Sequence, residues 1–409
     1  MIWVSKLRRY HCWLVLILIV LAAIGCSSKK AFVKEPTPLD LFPAQQIKVV
    51  KSWDVTFSTA SKHPLPQAYQ PTFSPGRVYI SDQKGVIQAL SADKSTPIWQ
   101  YSTGLKLTSG LGFGDGLLVV GGRDGDVLAI DSLAGSLLWR GKVSSEVLIA
   151  PLAIDGIVYV RSVDGKLTAL SANDGHRLWS YQEKVPSLSL HGLSMPLVDQ
   201  DRIFIGFADG RIAALNKFDG RELWQIAVAV PQGRSELERL IDIDADLVQY
   251  DDVLFATAYH GRVVAIDKRS GRFNWVRDLS SYHGLLVDEQ AVYLIDDDDG
   301  VWAISRRNGA TLWKQEALLQ RTLTTPLLID GHIIVGDVEG YVHWLNVSDG
   351  SFAGRVRVGK KAVTVLKQDA NKAVYALSAN GYLTKLIAVK QLASDLSSDL
   401  ENQPDDDAR

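Results

Sequence analysis

Hydrophobic positions in this chain come in short strand-length runs rather than at helical spacing. Residues 156–179, GIVYVRSVDGKLTALSANDGHRLW, hold two apolar runs, Ile157 to Val160 and Leu167 to Leu170, with a polar turn ending in Asp164-Gly165 between them. Two such runs joined through Asp-Gly predict a tight β-hairpin, because this dipeptide tolerates positive φ and the branched side chains suit a pleated surface. A second turn with Gly175 follows, and Trp179 closes the unit. Residues 116–139, GLLVVGGRDGDVLAIDSLAGSLLW, carry the same pattern 40 positions earlier.

The turn glycine recurs at Gly85, Gly125, Gly165, Gly210, Gly261, Gly300, Gly340 and Gly381. Tryptophan keeps the same beat at Trp99, Trp139, Trp179, Trp224, Trp275 and Trp313, with Phe352 near the equivalent place in the seventh copy. The eighth copy, KAVYALSANGYLTKLIAV, ends without a tryptophan, while Trp53 stands ahead of the first turn glycine in the alternating segment IKVVKSWDVTF. A repeat divided between the two ends of a chain is what ring closure requires, since the N-terminal strand completes the last unit and leaves no open edge. The pattern therefore predicts an all-β, eight-bladed β-propeller over residues 47–390. Helical arrays of similar period need apolar residues at spacings of three and four, which these runs lack. The Gly-His and Trp-Asp marks of WD repeats do not recur at this period: Gly-His occurs at Gly175-His176 and Gly331-His332 and Trp-Asp at Trp53-Asp54, not blade by blade.

The ends differ from this body. Residues 1–25 place Lys6, Arg8 and Arg9 before the apolar run CWLVLILIVLAAI, the shape of a secretory signal and too short for a comfortable membrane span. Residues 26–46 contain three prolines and read as a tether, and residues 391–409 as an acidic, disordered tail. Removing the signal takes away three positive charges, so the formal net charge moves from −2 to −5. Such a balance recommends neither nucleic acid nor an anionic surface as partner. The two cysteines, Cys12 and Cys26, leave the repeat region without a disulfide, so it relies on its core.

Ala23-Ile24-Gly25-Cys26 resembles a bacterial lipobox, in which the cysteine is lipidated and becomes the mature N-terminus. The alternative is an ordinary signal peptide or an uncleaved anchor, with Cys26 incidental. Ser27 in place of an aspartate directs the resemblance to the periplasmic face of the outer membrane.

Departures from the repeat carry the functional signal. From tryptophan to the next turn glycine the chain takes 26 residues at Trp99–Gly125 and at Trp139–Gly165, but 31 at Trp179–Gly210 and 37 at Trp224–Gly261. Long connections on a rigid scaffold commonly carry binding. The first contains SLSLHGLSMP, with Leu188 and Leu190 beside His191; the second contains SELERLIDIDAD, with Arg239 ahead of Asp242 and Asp244. An apolar patch rimmed by charge suits a protein contact. The residues equally allow Leu188 and Leu190, or Ile241 and Ile243, to open the next blade's inner strand.

The phrase G-x-V-Y-x-x-x-x-D-G-x-L-x-A-L-x-x-x-x-G-x-x-x-W resembles the repeat of the quinoprotein-like (PQQ-type) β-propellers over residues 47–390. That resemblance implies that each tryptophan packs against the neighbouring blade near its glycine turn, a core role rather than a ligand cage. It does not by itself imply an enzyme. Quinone-dependent dehydrogenases of this class resemble one another in a vicinal cysteine pair, calcium ligands and sometimes a CxxCH haem site, and this chain has neither cysteine motif. A lipid-anchored single propeller is instead similar to the propeller lipoproteins of the BAM complex, which folds β-barrels into the outer membrane of Gram-negative bacteria. That similarity implies a scaffold without catalysis, cofactor or metal. It implies contact with the POTRA domains of the barrel-assembly protein BamA through Leu188, Leu190, Asp242 and Asp244, with His191 in place of the usual arginine and Arg239 alongside. It further implies indirect association with other BAM lipoproteins and contact with unfolded outer-membrane strands by β-augmentation. The alternative is a quinone- or sugar-binding periplasmic enzyme with its site in the central channel.

Two further patterns read as structure. Asp296 to Asp299 before Gly300 fill a hairpin-turn slot and have no glutamate twelve positions from Asp296, as an EF-hand loop would. Gly110, Gly112, Gly114 and Gly116 precede a strand-like LLVVGG rather than a helix that could hold a pyrophosphate.

Overall fold

The computed structural model describes residues 35–39, 46–56, 69–82, 84–183, 194–229, 243, 245–258 and 261–390. The chain divides into two compact units, Met1–Pro36 and Thr37–Arg409, and the strands lie in the second. Its described residues form 32 strands, β1 to β32 in chain order, arranged as eight four-stranded antiparallel sheets around an axis.

Seven sheets are continuous in sequence. Blade 1 runs from β2 (Thr72–Ser74) to β5 (Pro97–Ser102), blade 2 from β6 (Gly112–Gly114) to β9 (Leu137–Lys142), and blade 3 from β10 (Leu152–Ile154) to β13 (Arg177–Gln182). Blade 4 spans β14 (Leu197–Asp199) to β17 (Glu222–Ala227), blade 5 β18 (Val248–Tyr250) to β21 (Phe273–Asp278), blade 6 β22 (Leu286–Val287) to β25 (Thr311–Gln315), and blade 7 β26 (Leu327–Ile329) to β29 (Phe352–Arg357). Blade 8 joins the chain's two ends: β30 (Val363–Gln368), β31 (Val374–Ser378) and β32 (Tyr382–Lys390) pair in order, and β1 (Ile47–Thr56) adds the outer strand. Register runs from Ile47 opposite Lys390 to Thr56 opposite Tyr382, so the ring closes as the divided repeat requires.

The second strands of the blades are buried on both faces. In β11 (Ile157–Arg161) every residue is buried, and Val158, Tyr159 and Val160 are no more than 1% exposed. A continuous apolar run rather than an alternation follows, because each blade packs a neighbour on either side. Between blades 2 and 3 the layer contains Val119, Val127, Trp139, Val158 and Leu170.

The periodic tryptophans lock blade to blade. Each indole Nε1 donates to a backbone carbonyl in the next blade's outer turn: Trp53 to Ala92, Trp99 to Ser132, Trp139 to Ala172, Trp179 to Lys217, Trp224 to Lys268, Trp275 to Arg306 and Trp313 to Val347, at 2.7–3.2 Å. The ring face fits beneath the turn glycine. At Gly175 (φ 73°) an added Cβ would stand 2.4 Å from Trp139 Cε3, so both the backbone conformation and the contact require glycine.

Two expectations need correction. Phe352 does not take the tryptophan position of blade 7. Leu345 faces Phe352 and Trp344 faces Gly354, as Ala129 faces Trp139 in blade 2, so the equivalent residue is Gly354. A tryptophan has nothing to cap there: in blade 8 the outer turn is replaced by the two chain ends, and Ile47 fills the space, 2.7 Å from where a Gly354 Cβ would be. In blade 6 the left-handed turn residue is Asp299 (φ 68°), not Gly300. Asp299 donates its amide to the Asp296 carbonyl as Gly85 does to Asp82, and its carboxylate accepts from the amides of Thr322 (2.7 Å) and Leu323 (2.9 Å). Aspartate tolerates this conformation, and here it also satisfies two backbone donors.

Candidate functional site

The two lengthened connections depart from the repeat at definable points. In blade 2, Gly121 is approached by Ser109, whose hydroxyl accepts its amide, and by Val147, whose Cβ would be 2.4 Å from an added Cβ. In blade 4 the equivalent glycine is Gly206, at the end of β15 (Arg202–Gly206), and it is approached by Ser194 and Ile243: an added Cβ would lie 2.5 Å from Ile243 Cγ2 and 3.0 Å from Ser194 Oγ. Ser109 to Gly125 and Ser194 to Gly210 are both 16 residues apart, and Val147 to Gly165 and Ile243 to Gly261 are both 18. All the extra length of the first connection therefore falls between Trp179 and Ser194, and all that of the second between Trp224 and Ile243.

The ends of these insertions are tied down together. Ser194 is fully buried, and its carbonyl accepts Arg161 Nη1 at 2.8 Å. The Met195 amide donates to Asp246 Oδ1 at 2.7 Å, which joins the root of the first connection to the root of the second. Ile243 is fully buried in a cluster with Phe204, Ile212, Val228 and Leu247. It is a core plug placed five residues before β18, so of the alternation at 241–243 this member belongs to packing. Charge gathers at the same roots. Asp246 is exposed to solvent, so the push of the surrounding protein on its carboxyl, above the usual range and opposed by the Met195 amide, Lys367 and Arg161, is screened by water. Burial likewise pushes Lys367 below the usual lysine range, opposed by Asp246.

Elsewhere the chemistry is structural. Asp296, first in the acidic turn, accepts the amides of Asp298 and Gly300 and the indole of Trp302. Among the described residues no group of three or more His, Cys, Asp or Glu is placed to hold a metal. A cavity of about 320 Å³ between blades 6 and 7 is lined by residues including Asp288, Tyr293, Leu312 and Trp313, and Asp288 already accepts the Tyr293 hydroxyl and two backbone amides.

A family model described as outer membrane protein assembly factor BamB matches residues 83–315. The protein of that name from Salmonella typhimurium is 34% identical over 82% of this chain and 88% of its own length. The chain belongs to the BamB family. The crystal structure of BamB from Moraxella catarrhalis superposes with a TM-score of 0.75 at 30% identity, covering 83% of this chain and 99% of that one. Quinohemoprotein alcohol dehydrogenase from Comamonas testosteroni, at 12% identity and a TM-score of 0.66, shares the fold alone.

Within this BamB-family propeller, the seven predicted tryptophans all stand at blade interfaces. The predicted contact residues Leu188, Leu190, His191, Arg239, Asp242 and Asp244, and the predicted lipidation site Cys26, lie outside the described residues. What the structure brings together is their roots. Sequence reading missed Ser194 and Asp246 in this role and left Ile243 open as a core residue of the next inner strand, which the structure places in the core but ahead of β18; the constant spacings to Gly210 and Gly261 were the signal that could have found these roots.

Proposed function

We propose that this chain is a non-enzymatic scaffold of the BAM complex, held by a lipid on Cys26 at the periplasmic face of the outer membrane. In this reading residues 1–25 are removed, residues 26–46 form the tether and residues 391–409 the acidic tail. The propeller docks the POTRA domains of BamA through the two insertions. Leu188 and Leu190 provide apolar anchors, and Arg239, Asp242 and Asp244 a charged rim. His191 cannot form the bidentate pair of an arginine, so this edge of the contact is weaker than in relatives that carry one. Other BAM lipoproteins are reached through BamA, and blade edges offer strand pairing to unfolded substrates.

Support comes from the relatives named outer membrane protein assembly factor BamB and from one observation in particular. Both insertions are confined upstream of Ser194 and Ile243, which meet at Gly206, and Met195 is bonded to Asp246. Two loops that share one rigid root form one surface. The quinone- or sugar-binding alternative gains no observation from the 320 Å³ cavity, where Asp288 is already engaged by the Tyr293 hydroxyl and two backbone amides. The test is affinity capture of the tagged full-length chain from detergent-solubilised outer membranes. Recovery of BamA, lost in a Leu188→Glu, Asp242→Ala double variant that still folds, is expected; a bound small molecule and no such partner would refute the reading.

A further inference from the structure

The connection from blade 6 to blade 7 departs from the repeat without lengthening much. Gln320 and Thr322 both take positive φ, 58° and 51°. For a β-branched residue such as Thr322 this is a true outlier, and strain of that kind persists only where surrounding structure imposes it. Here the Asp299 carboxylate holds the amides of Thr322 and Leu323, and the Gln320 amide donates to the Asp298 carbonyl at 3.1 Å.

The result is a carbonyl and a guanidinium presented side by side. Arg321 is 1% exposed; its Nε and Nη2 engage the fully buried Asp337 at 2.9 and 2.8 Å, and Nη2 also meets Glu339. Asp337 is fixed in turn by the amides of Glu339 and Tyr341 and by His343 Nε2. His343 Nδ1 accepts from Arg355 Nε, so the Nε2 proton points at Asp337. That leaves Arg321 Nη1, and it donates to the carbonyl of Thr37 at 2.7 Å.

Thr37 matches this site with every polar group it has. Its amide and hydroxyl both donate to the Leu319 carbonyl, at 3.1 and 2.9 Å. Leu39 packs on a cluster containing Leu318, Leu323, Ile333 and Val335. The segment reads Glu-Pro-Thr-Pro-Leu. A proline after Thr37 biases it to an extended backbone, so little freedom is lost on docking. Thr37 and Leu39 are half-buried, while Glu35, Pro36 and Pro38 are exposed.

We propose that the blade 6–7 connection is a receptor for Thr37–Leu39, a clasp that fixes the N-terminal segment ten residues before the ring-closing strand β1. One consequence rests on the lipid-anchored reading above. The free leash then runs 11 residues from Cys26 to Thr37, about 40 Å when extended, instead of 21 residues and about 75 Å to Ile47. Tension from the membrane falls on Leu319 and Arg321 and does not peel β1 from β32.

The clasp is tested by hydrogen exchange, read by mass spectrometry, on the full chain and on its Cys26→Ser variant. Thr37 carries the only backbone amide in residues 36–38. Slowing of at least about 10-fold relative to an unstructured peptide is expected in both proteins. Leu39→Ser should abolish this slowing while propeller amides exchange as before. An unprotected Thr37 amide, or protection that survives Leu39→Ser, overturns the clasp whether or not Cys26 is lipidated. On supported bilayers, ten Gly/Ser residues inserted between Leu39 and Ile47 should leave the propeller's height unchanged, and the same insert between Cys26 and Thr37 should raise it. A rise with the first insert overturns the transfer of tension to the clasp; failure of the wild-type chain to bind the bilayer, with Thr37 still protected, overturns the anchor alone.

Discussion

Replacing Gly175 by alanine should expose how each tryptophan holds the next blade. Two costs add at this position. An L-residue at φ 73° is strained by about 1–2 kcal/mol, and a Cβ placed 2.4 Å from Trp139 Cε3 and 2.9 Å from Cδ2 must displace a buried indole, an overpacking cost of about 1–3 kcal/mol. Gly175→Ala should therefore cost about 3 kcal/mol. Gly156→Ala is the control: φ is 77° but an added Cβ meets nothing within 4 Å, so only the strain of about 1–2 kcal/mol applies. Trp139→Ala loses a side chain 7% exposed and its 2.7 Å bond to Ala172, at about 3–5 kcal/mol. The same substitution removes what the new methyl would strike, so the double variant should be more stable than additivity predicts by about 1–3 kcal/mol. Urea unfolding followed by tryptophan fluorescence and far-ultraviolet circular dichroism gives the four free energies. Additivity within about 0.5 kcal/mol, the usual limit for independent sites, or equal costs for Gly156→Ala and Gly175→Ala, would refute the lock.

Other consequences are simpler. Ser95 (φ 54°) stands in blade 1 where Gly135 and Gly175 stand in blades 2 and 3, so Ser95→Gly should be neutral or stabilise by up to about 1 kcal/mol in the same urea assay. His283 is 6% exposed with Nε2 unpartnered, and burial, opposed by the charge of Asp296, pulls its pKa down to about 4. The folded value lies below the ordinary one, so the unfolded chain takes up the proton first. The contribution of the neutral ring is complete above about pH 6.5 and declines as pH falls towards 4, by about 3 kcal/mol. His283→Leu should flatten that limb of the urea midpoint against pH; an unchanged slope would contradict the assignment.

The fold was legible because ring geometry writes itself into sequence at a fixed period. Trp53 far from its siblings announced closure, and the Asp-Gly pairs announced the hairpins. Where closure itself alters the environment, periodicity misleads. Phe352 looked like a tryptophan substitute, but the outer turn it would cap does not exist in a blade made of two chain ends, and Gly354 receives Ile47 instead. Gly300 looked like the turn residue, yet Asp299 takes that conformation because its carboxylate is needed by Thr322 and Leu323, 23 and 24 residues away. The clasp on Thr37 depends on Arg321, 284 residues distant, and no local pattern signals it. At the candidate surface the sequence showed the insertions by length. The spacings to Gly210 and Gly261 mark where each insertion ends, but that the two roots meet at Gly206 is a tertiary contact that no spacing signals.

The most direct test of the docking account is titration calorimetry of the purified propeller against a BamA fragment containing its POTRA domains. Leu188→Glu and Asp242→Ala should each weaken binding by about 2 kcal/mol, roughly 30-fold, with far-ultraviolet circular dichroism unchanged. Full affinity in both folded variants would contradict it and move the contact to another face of the ring.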